Sequence, residues 1–132
     1  ITDKASDGYV TIAKMKKASI LIQKKQIMEG LEIYEDLEKT AFDQSFKDMS
    51  TILFVLNAID HKPSDILLDK IERLTENSSW KYSALELKGF ILLNDKKFAK
   101  SKKTFNTIIE LGNAPTTLAS RARDMVDFLE GN

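Results

Sequence analysis

The stretch from Ser79 to Leu111 limits what this chain can fold into more than any other part of it. Trp80 opens an apolar run in which Leu85 and Leu92 stand seven residues apart and Leu87, Phe90 and Leu93 recur at three-residue steps. After the polar break Asn94–Asp95–Lys96–Lys97, Phe98, Ser101, Phe105, Ile108–Ile109 and Leu111 recur at three- and four-residue steps. That period marks one face of an α-helix, so the stretch reads as two amphipathic helices joined by a tight turn. Gly112–Asn113 then closes the second helix, since both residues tolerate the left-handed conformation of a C-cap. Neither helix can bury its apolar stripe alone, and the pair must pack on itself and on neighbours.

Within the pair, Gly89, Ser101 and Phe105 have a spacing that repeats. Ala18, Gly30 and Tyr34 stand at the same intervals near the start of the chain, and Val55, Leu67 and Ile71 stand at them in the middle, where the small residue and the aromatic are lost. Val55 lies 37 residues after Ala18 and Gly89 lies 34 after Val55. A near-constant period of this size is the mark of stacked helix pairs. The pattern resembles the tetratricopeptide repeat, which carries small residues at its eighth and twentieth positions and an aromatic at its twenty-fourth. It departs from that pattern at Lys17, Phe54 and Lys88, where the repeat usually has leucine, and at Asn113, where it has proline.

The resemblance implies an all-α fold: a right-handed α-solenoid of about three tetratricopeptide-like helix pairs, over residues 9–39, 45–75 and 79–111. A capping helix over residues 116–129 brings the count to seven helices in a single domain covering 1–132.

The remaining chain fits this scheme in order. Ile1 to Gly8 reads as a polar lead-in. A first helix follows from Tyr9, where Val10, Ile12–Ala13, Met15, Ala18 and Leu21–Ile22 recur at three- and four-residue steps until Gln23–Lys24–Lys25–Gln26 breaks the apolar face. The second turns Ile27, Gly30–Leu31, Ile33–Tyr34 and Leu37 inward and Glu29, Glu32, Glu35, Asp36 and Glu38 to solvent. Ser45 and Asp48 have capping-box spacing at the head of a third helix, Ser45 to Ile59, whose apolar residues run nearly all round it. Pro63 interrupts it, because proline cannot continue the helical hydrogen bonding. A fourth helix is expected over Ser64 to Thr75, and Asn77–Ser78–Ser79 is expected to cap the fifth. After Pro115, a seventh helix sets Leu118–Ala119, Ala122, Met125–Val126 and Leu129 on one side and Arg121, Arg123, Asp124 and Asp127 on the other.

Composition removes whole classes of function. Twenty basic and twenty acidic residues cancel, which leaves no net positive field for DNA or RNA. Cysteine is absent, so disulfides, thiol catalysis and thiolate metal sites are excluded together. The longest apolar runs, such as Ile52 to Ala58, fall far short of the ~20 residues that span a bilayer. His61 is the sole histidine and has no nucleophile or ligand partner beside it in sequence. Asn77–Ser78–Ser79 also fits an N-glycosylation acceptor, although a helix cap explains the same residues. With no phosphate loop, ligand cluster or triad, the chain is expected to be no enzyme and to take no cofactor or metal.

A closer resemblance is carried by Ser79–Trp80–Lys81–Tyr82–Ser83–Ala84–Leu85–Glu86–Leu87–Lys88–Gly89, by Lys97–Phe98–Ala99–Lys100–Ser101 and by the ending from Asn113–Ala114–Pro115 to Leu129. These segments are similar to the bacterial tetratricopeptide-like family that includes the ancillary Sec-translocon subunit. The richness in lysine, isoleucine and asparagine resembles alphaproteobacteria of the rickettsial kind. The family likeness implies a fragment that lacks an N-terminal membrane anchor, on the periplasmic side of the bacterial inner membrane, with a cytoplasmic location as the alternative. It also implies a role assisting secreted or envelope proteins, with the translocon among the possible partners.

In such repeats the first helix of each pair lines the concave face. That register selects Ile12, Met15, Ser19 and Ile22, then Met49, Ile52, Leu56 and Ile59, then Glu86, Phe90 and Leu93. This largely apolar set is expected to hold an apolar helix or extended segment of a protein partner, with Met15 and Met49 adding adaptability. Two alternatives stand beside it: the same residues are core covered by the seventh helix, or the interface of a homo-oligomer.

Overall fold

The computed structural model describes residues 4–131, with the side chains at positions 4, 5 and 77 left aside. Among the described residues the chain is all-helical, with eight helices where seven were expected. They are α1 (Lys4–Gln23), α2 (Ile27–Thr40), α3 (Gln44–Ala58), α4 (Ser64–Ile71), α5 (Leu74–Asn77), α6 (Lys81–Asn94), α7 (Phe98–Leu111) and α8 (Thr116–Glu130). The helices gather into two compact units, Ile1–His61 and Lys62–Asn132. In the first, α2 packs on α1 and α3; in the second, α6 packs on α7, α4 and α5, and α8 packs on α7.

The extra helix comes from the expected Ser64–Thr75 segment, which breaks after Ile71. The Glu72 carbonyl accepts from both the Thr75 N–H at 3.2 Å and the Thr75 hydroxyl at 2.7 Å. Both bonds span three residues, so a side chain competing for backbone tightens the turn and ends the α-helical ladder there. Of the lead-in expected over Ile1 to Gly8, Ile1 to Asp3 lie outside the described residues, and the rest is already helix α1. Two expected caps also move. Asp43, not Ser45, caps α3, its carboxylate accepting from the Phe46 N–H at 2.9 Å, while Asp48 is buried and accepts from the Gln44 amide at 2.8 Å. Ser78 takes the Trp80 N–H at 3.1 Å in a turn, and α6 starts only at Lys81. The Asn77 side chain, the glycosylation candidate, lies outside the described residues.

The turn between α1 and α2 and the turn between α6 and α7 have one geometry. Gln26 N–H bonds the Leu21 carbonyl at 2.8 Å and Lys25 N–H bonds Ile22 at 3.0 Å; Lys97 N–H bonds Leu92 at 2.9 Å and Lys96 N–H bonds Leu93 at 2.9 Å. This is the paired six-to-one and five-to-two bonding of a Schellman cap. Its left-handed residue is Lys25 at φ 68° in one turn and Lys96 at φ 60° in the other. Glycine is the usual occupant, and a lysine Cβ there costs about 1–2 kcal/mol.

Beyond each turn the spaced residues meet. Gly89 packs against the ring of Phe105, which is fully buried; a Cβ on Gly89 would stand 2.6 Å from the ring's Cζ. The hydroxyl of buried Ser101 donates to the Gly89 carbonyl at 2.8 Å and fastens the same crossing. In the first unit, a Cβ on Gly30 would stand 2.7 Å from Ile22 and 2.9 Å from the Ala18 carbonyl oxygen. Tyr34 is buried beside that crossing, and the loss of water around its phenol raises its pKa. The buried hydroxyl of Thr11 accepts from the Phe42 N–H at 3.0 Å and ties α1 to the loop after α2.

The core of the second unit joins Leu85, Phe105 and Ile108 to Leu118, Ala122, Val126 and Leu129 of α8. In the first, Met15, Leu37 and Ala41 form a cluster on which Ile33, Phe46 and Met49 pack. Val55, Leu67 and Ile71, the degenerate middle set, are all fully buried. Val55 belongs to α3 in the first unit; Leu67 and Ile71 belong to α4 in the second.

The crossing and the cap set three stability predictions, all read by urea denaturation. Phe105→Ala removes a buried ring that Gly89 cannot refill and should cost about 3–5 kcal/mol. Gly89→Ala gains about 1 kcal/mol of helix propensity but overpacks against the ring by about 1–3 kcal/mol, so its net effect should also be destabilising. Lys96→Gly should do the opposite and stabilise by about 1 kcal/mol, because it relieves the left-handed lysine.

Candidate functional site

The residues selected by the repeat register fall in different surroundings. On α1, Ile12 is 52% exposed and Ser19 is exposed, while Met15 between them is buried and Ile22 is half-buried against Gly30. On α3, Leu56 is 52% exposed, Met49 and Ile59 are half-buried and Ile52 is buried. Met49 packs against the cluster that Met15 forms with Leu37 and Ala41. Ile12 and Ser19 lie one helical turn to either side of Met15 on α1, and Ile52 and Leu56 follow Met49 by one and two turns on α3. In the first unit, then, exposed Ile12 stands one turn from buried Met15 on α1, and exposed Leu56 stands two turns from half-buried Met49 on α3.

The second unit treats its share of the register differently. Phe90 meets Phe105 edge-on at 5.2 Å and packs, with Leu93, against the cluster that α7 and α8 build. Glu86 is held by a two-pronged bond from Arg121 of α8, with Nε at 2.8 Å and Nη2 at 3.0 Å. The fork matches guanidinium to carboxylate geometry, and the hydrogen bond and charge of Glu86 raise the Arg121 pKa. Arg121 itself is largely solvated, so the pair orients α8 on α6 more than it stabilises the unit. Helix α8 thus meets α6 at Glu86, while Phe90 and Leu93 pack on the cluster to which α6, α7 and α8 all contribute.

One feature of α1 escaped the register. Tyr9, Ala13 and Ile20 are exposed, Tyr9 at 74% and Ile20 at 40%, and they lie on the side of the helix opposite buried Thr11, Met15 and Ala18. Their steps of four and seven residues were visible in the sequence. They were masked because α1 is apolar nearly all round, and periodicity alone does not say which of two apolar faces is covered.

No group of three or more His, Cys, Asp or Glu among the described residues could hold a metal ion, and His61 is exposed. Among the described residues no helix is long and apolar enough to cross a membrane. No family model, curated protein or solved structure matches the chain.

Proposed function

We propose that the chain is a non-catalytic protein-interaction module that binds an apolar helix or extended segment of a partner protein on the α1–α3 surface of its first unit. The observation that carries this reading is the pair Ile12 and Leu56. Each is half in water, one or two turns from a methionine, Met15 or Met49, that packs in the same cluster of the unit. Stranded apolar side chains close to flexible methionines suit a partner that varies in detail. The right-handed solenoid belongs with this proposal. It is supported by the shared cap geometry and close crossing of the α1–α2 and α6–α7 pairs, which a tetratricopeptide-like repeat supplies. The Ser79–Leu129 likeness supports an adaptor or chaperone-like helper for secreted or envelope proteins, anchored on the periplasmic side of a bacterial inner membrane.

A second reading rests on Tyr9, Ala13 and Ile20. An exposed apolar stripe on the outer side of α1 suits self-association with the same stripe of a second copy across a two-fold axis.

Ile12→Glu and Leu56→Glu separate the readings, because both sites are exposed enough to accept the charge without unfolding. Binding of a labelled amphipathic leucine–alanine helix, followed by fluorescence anisotropy, should weaken about tenfold or more for each variant, a loss of about 1.4 kcal/mol. Unchanged binding by a folded Leu56→Glu variant contradicts the α1–α3 site. Sedimentation equilibrium decides the second reading: a monomer at high concentration removes it, and a dimer abolished by Tyr9→Glu supports it.

A further inference from the structure

The second unit has a cleft of about 460 Å³ between α4, α6 and α7 whose lysine side chains nothing above employs. Its apolar floor includes Leu68 and Leu92, and its rim carries Lys88, Lys97, Lys100 and Lys103 against a single acid, Glu72. Glu72 is already engaged by Lys88 at 3.4 Å, and Lys97 is engaged by Asp95 at 3.2 Å. Lys100 and Lys103 are exposed and form no ion pair among the described residues. Thr104 and Thr107 turn their hydroxyls back onto the carbonyls of Lys100 and Lys103, at 2.9 and 3.0 Å, which leaves the lysines as the polar groups facing outward.

The arrangement of charge selects the ligand. Lys97, Lys100 and Lys103 follow one another at three-residue steps, so the row extends over ~9 Å of helix axis. A single phosphate or carboxylate needs donors that converge on one point, and these are strung in a line. A nucleic-acid backbone would match the line but leave the leucine floor uncovered. Acidic residues three or four apart on a helix stand ~5–6 Å from one another, the same step as the lysines, and apolar side chains between them can reach the floor. The acidic row of α2, with Glu29, Glu32 and Asp36, has this step too, but the apolar side of α2 is committed to its own core through Leu31, Tyr34 and Leu37. A second copy can therefore offer the charges without the apolar side chains.

We propose that this cleft is a docking site, separate from the α1–α3 surface, for an acidic amphipathic helix of a partner protein. Its carboxylates pair with Lys100 and Lys103 while its apolar side chains settle on Leu68 and Leu92.

The test uses the full chain and a fluorescein-labelled model helix of glutamate, leucine and alanine with glutamates at three- and four-residue steps, read by anisotropy. Saturable binding is expected. It should weaken at least about tenfold in Lys100→Glu/Lys103→Glu, in Leu68→Ala, and when serine replaces the leucines of the probe. It should weaken with added salt, as contacts between exposed charges do. Ile12→Glu should leave it unchanged, which keeps this site distinct from the one on the first unit. Circular dichroism checks that each variant stays helical; both lysines are exposed, so the charge reversal leaves the core alone. The proposal is overturned if the folded double variant binds the probe as before. It is also overturned if the leucine-free probe, an oligothymidylate or vesicles containing phosphatidylserine bind as well as the amphipathic helix. Self-association that the double variant abolishes, without capture of the probe, replaces the partner helix with a second copy and overturns it too.

Discussion

The fit of the Phe105 ring over Gly89 is the contact on which the second unit depends. A ring that is wholly buried can lie there only because position 89 lacks a Cβ, and Ser101 adds a hydrogen bond to the same carbonyl. With α6 and α7 locked in this way, Ile108 and Leu85 line up to receive Leu118, Ala122 and Val126, and α8 has a surface to cover. The first unit reaches the same end with different atoms. Gly30 admits the Ile22 side chain and the Ala18 carbonyl, and Tyr34 replaces the phenylalanine. In both units a cap that forces a lysine into the left-handed region sets the angle at which the second helix returns. Two local rules of backbone chemistry therefore position most of the buried surface.

Those rules were legible in the sequence because they act over short spacings. Gly89 to Ser101 to Phe105, and Ala18 to Gly30 to Tyr34, are fixed intervals across a tight turn, and every one of these residues is buried as expected. The limits of α7 and the left-handed Gly112 were equally readable, since the apolar period stops where glycine begins. The break after Ile71 was not, because it turns on whether the Thr75 hydroxyl bonds a carbonyl or solvent, and no periodicity records that choice. The cap of α3 was assigned two residues late because Asp43 and Ser45 are both acceptable caps, and only the observed bond to Phe46 distinguishes them.

The candidate surfaces were harder to read for a physical reason. A register says which residues share a helix face; it does not say whether another helix lies on that face. Phe90 and Leu93 share a position type with Leu56, yet the first two pack on the core cluster of their unit and Leu56 stands half in water. The lysine row of α7 was lost in a chain whose total charge is zero, because the balance averages the acids of α2 against the bases of α7. Sorting charge by helix, rather than by chain, recovers both rows.

The central claim is that Gly89 and Phe105 are in direct contact, and proton NMR tests it without a mutation that could unfold the chain. The Gly89 α-protons should show nuclear Overhauser effects to the Phe105 ring protons and be shifted upfield by the ring current. Gly89 α-protons at ordinary chemical shifts, with no cross-peak to Phe105, would contradict the register on which both units have been interpreted.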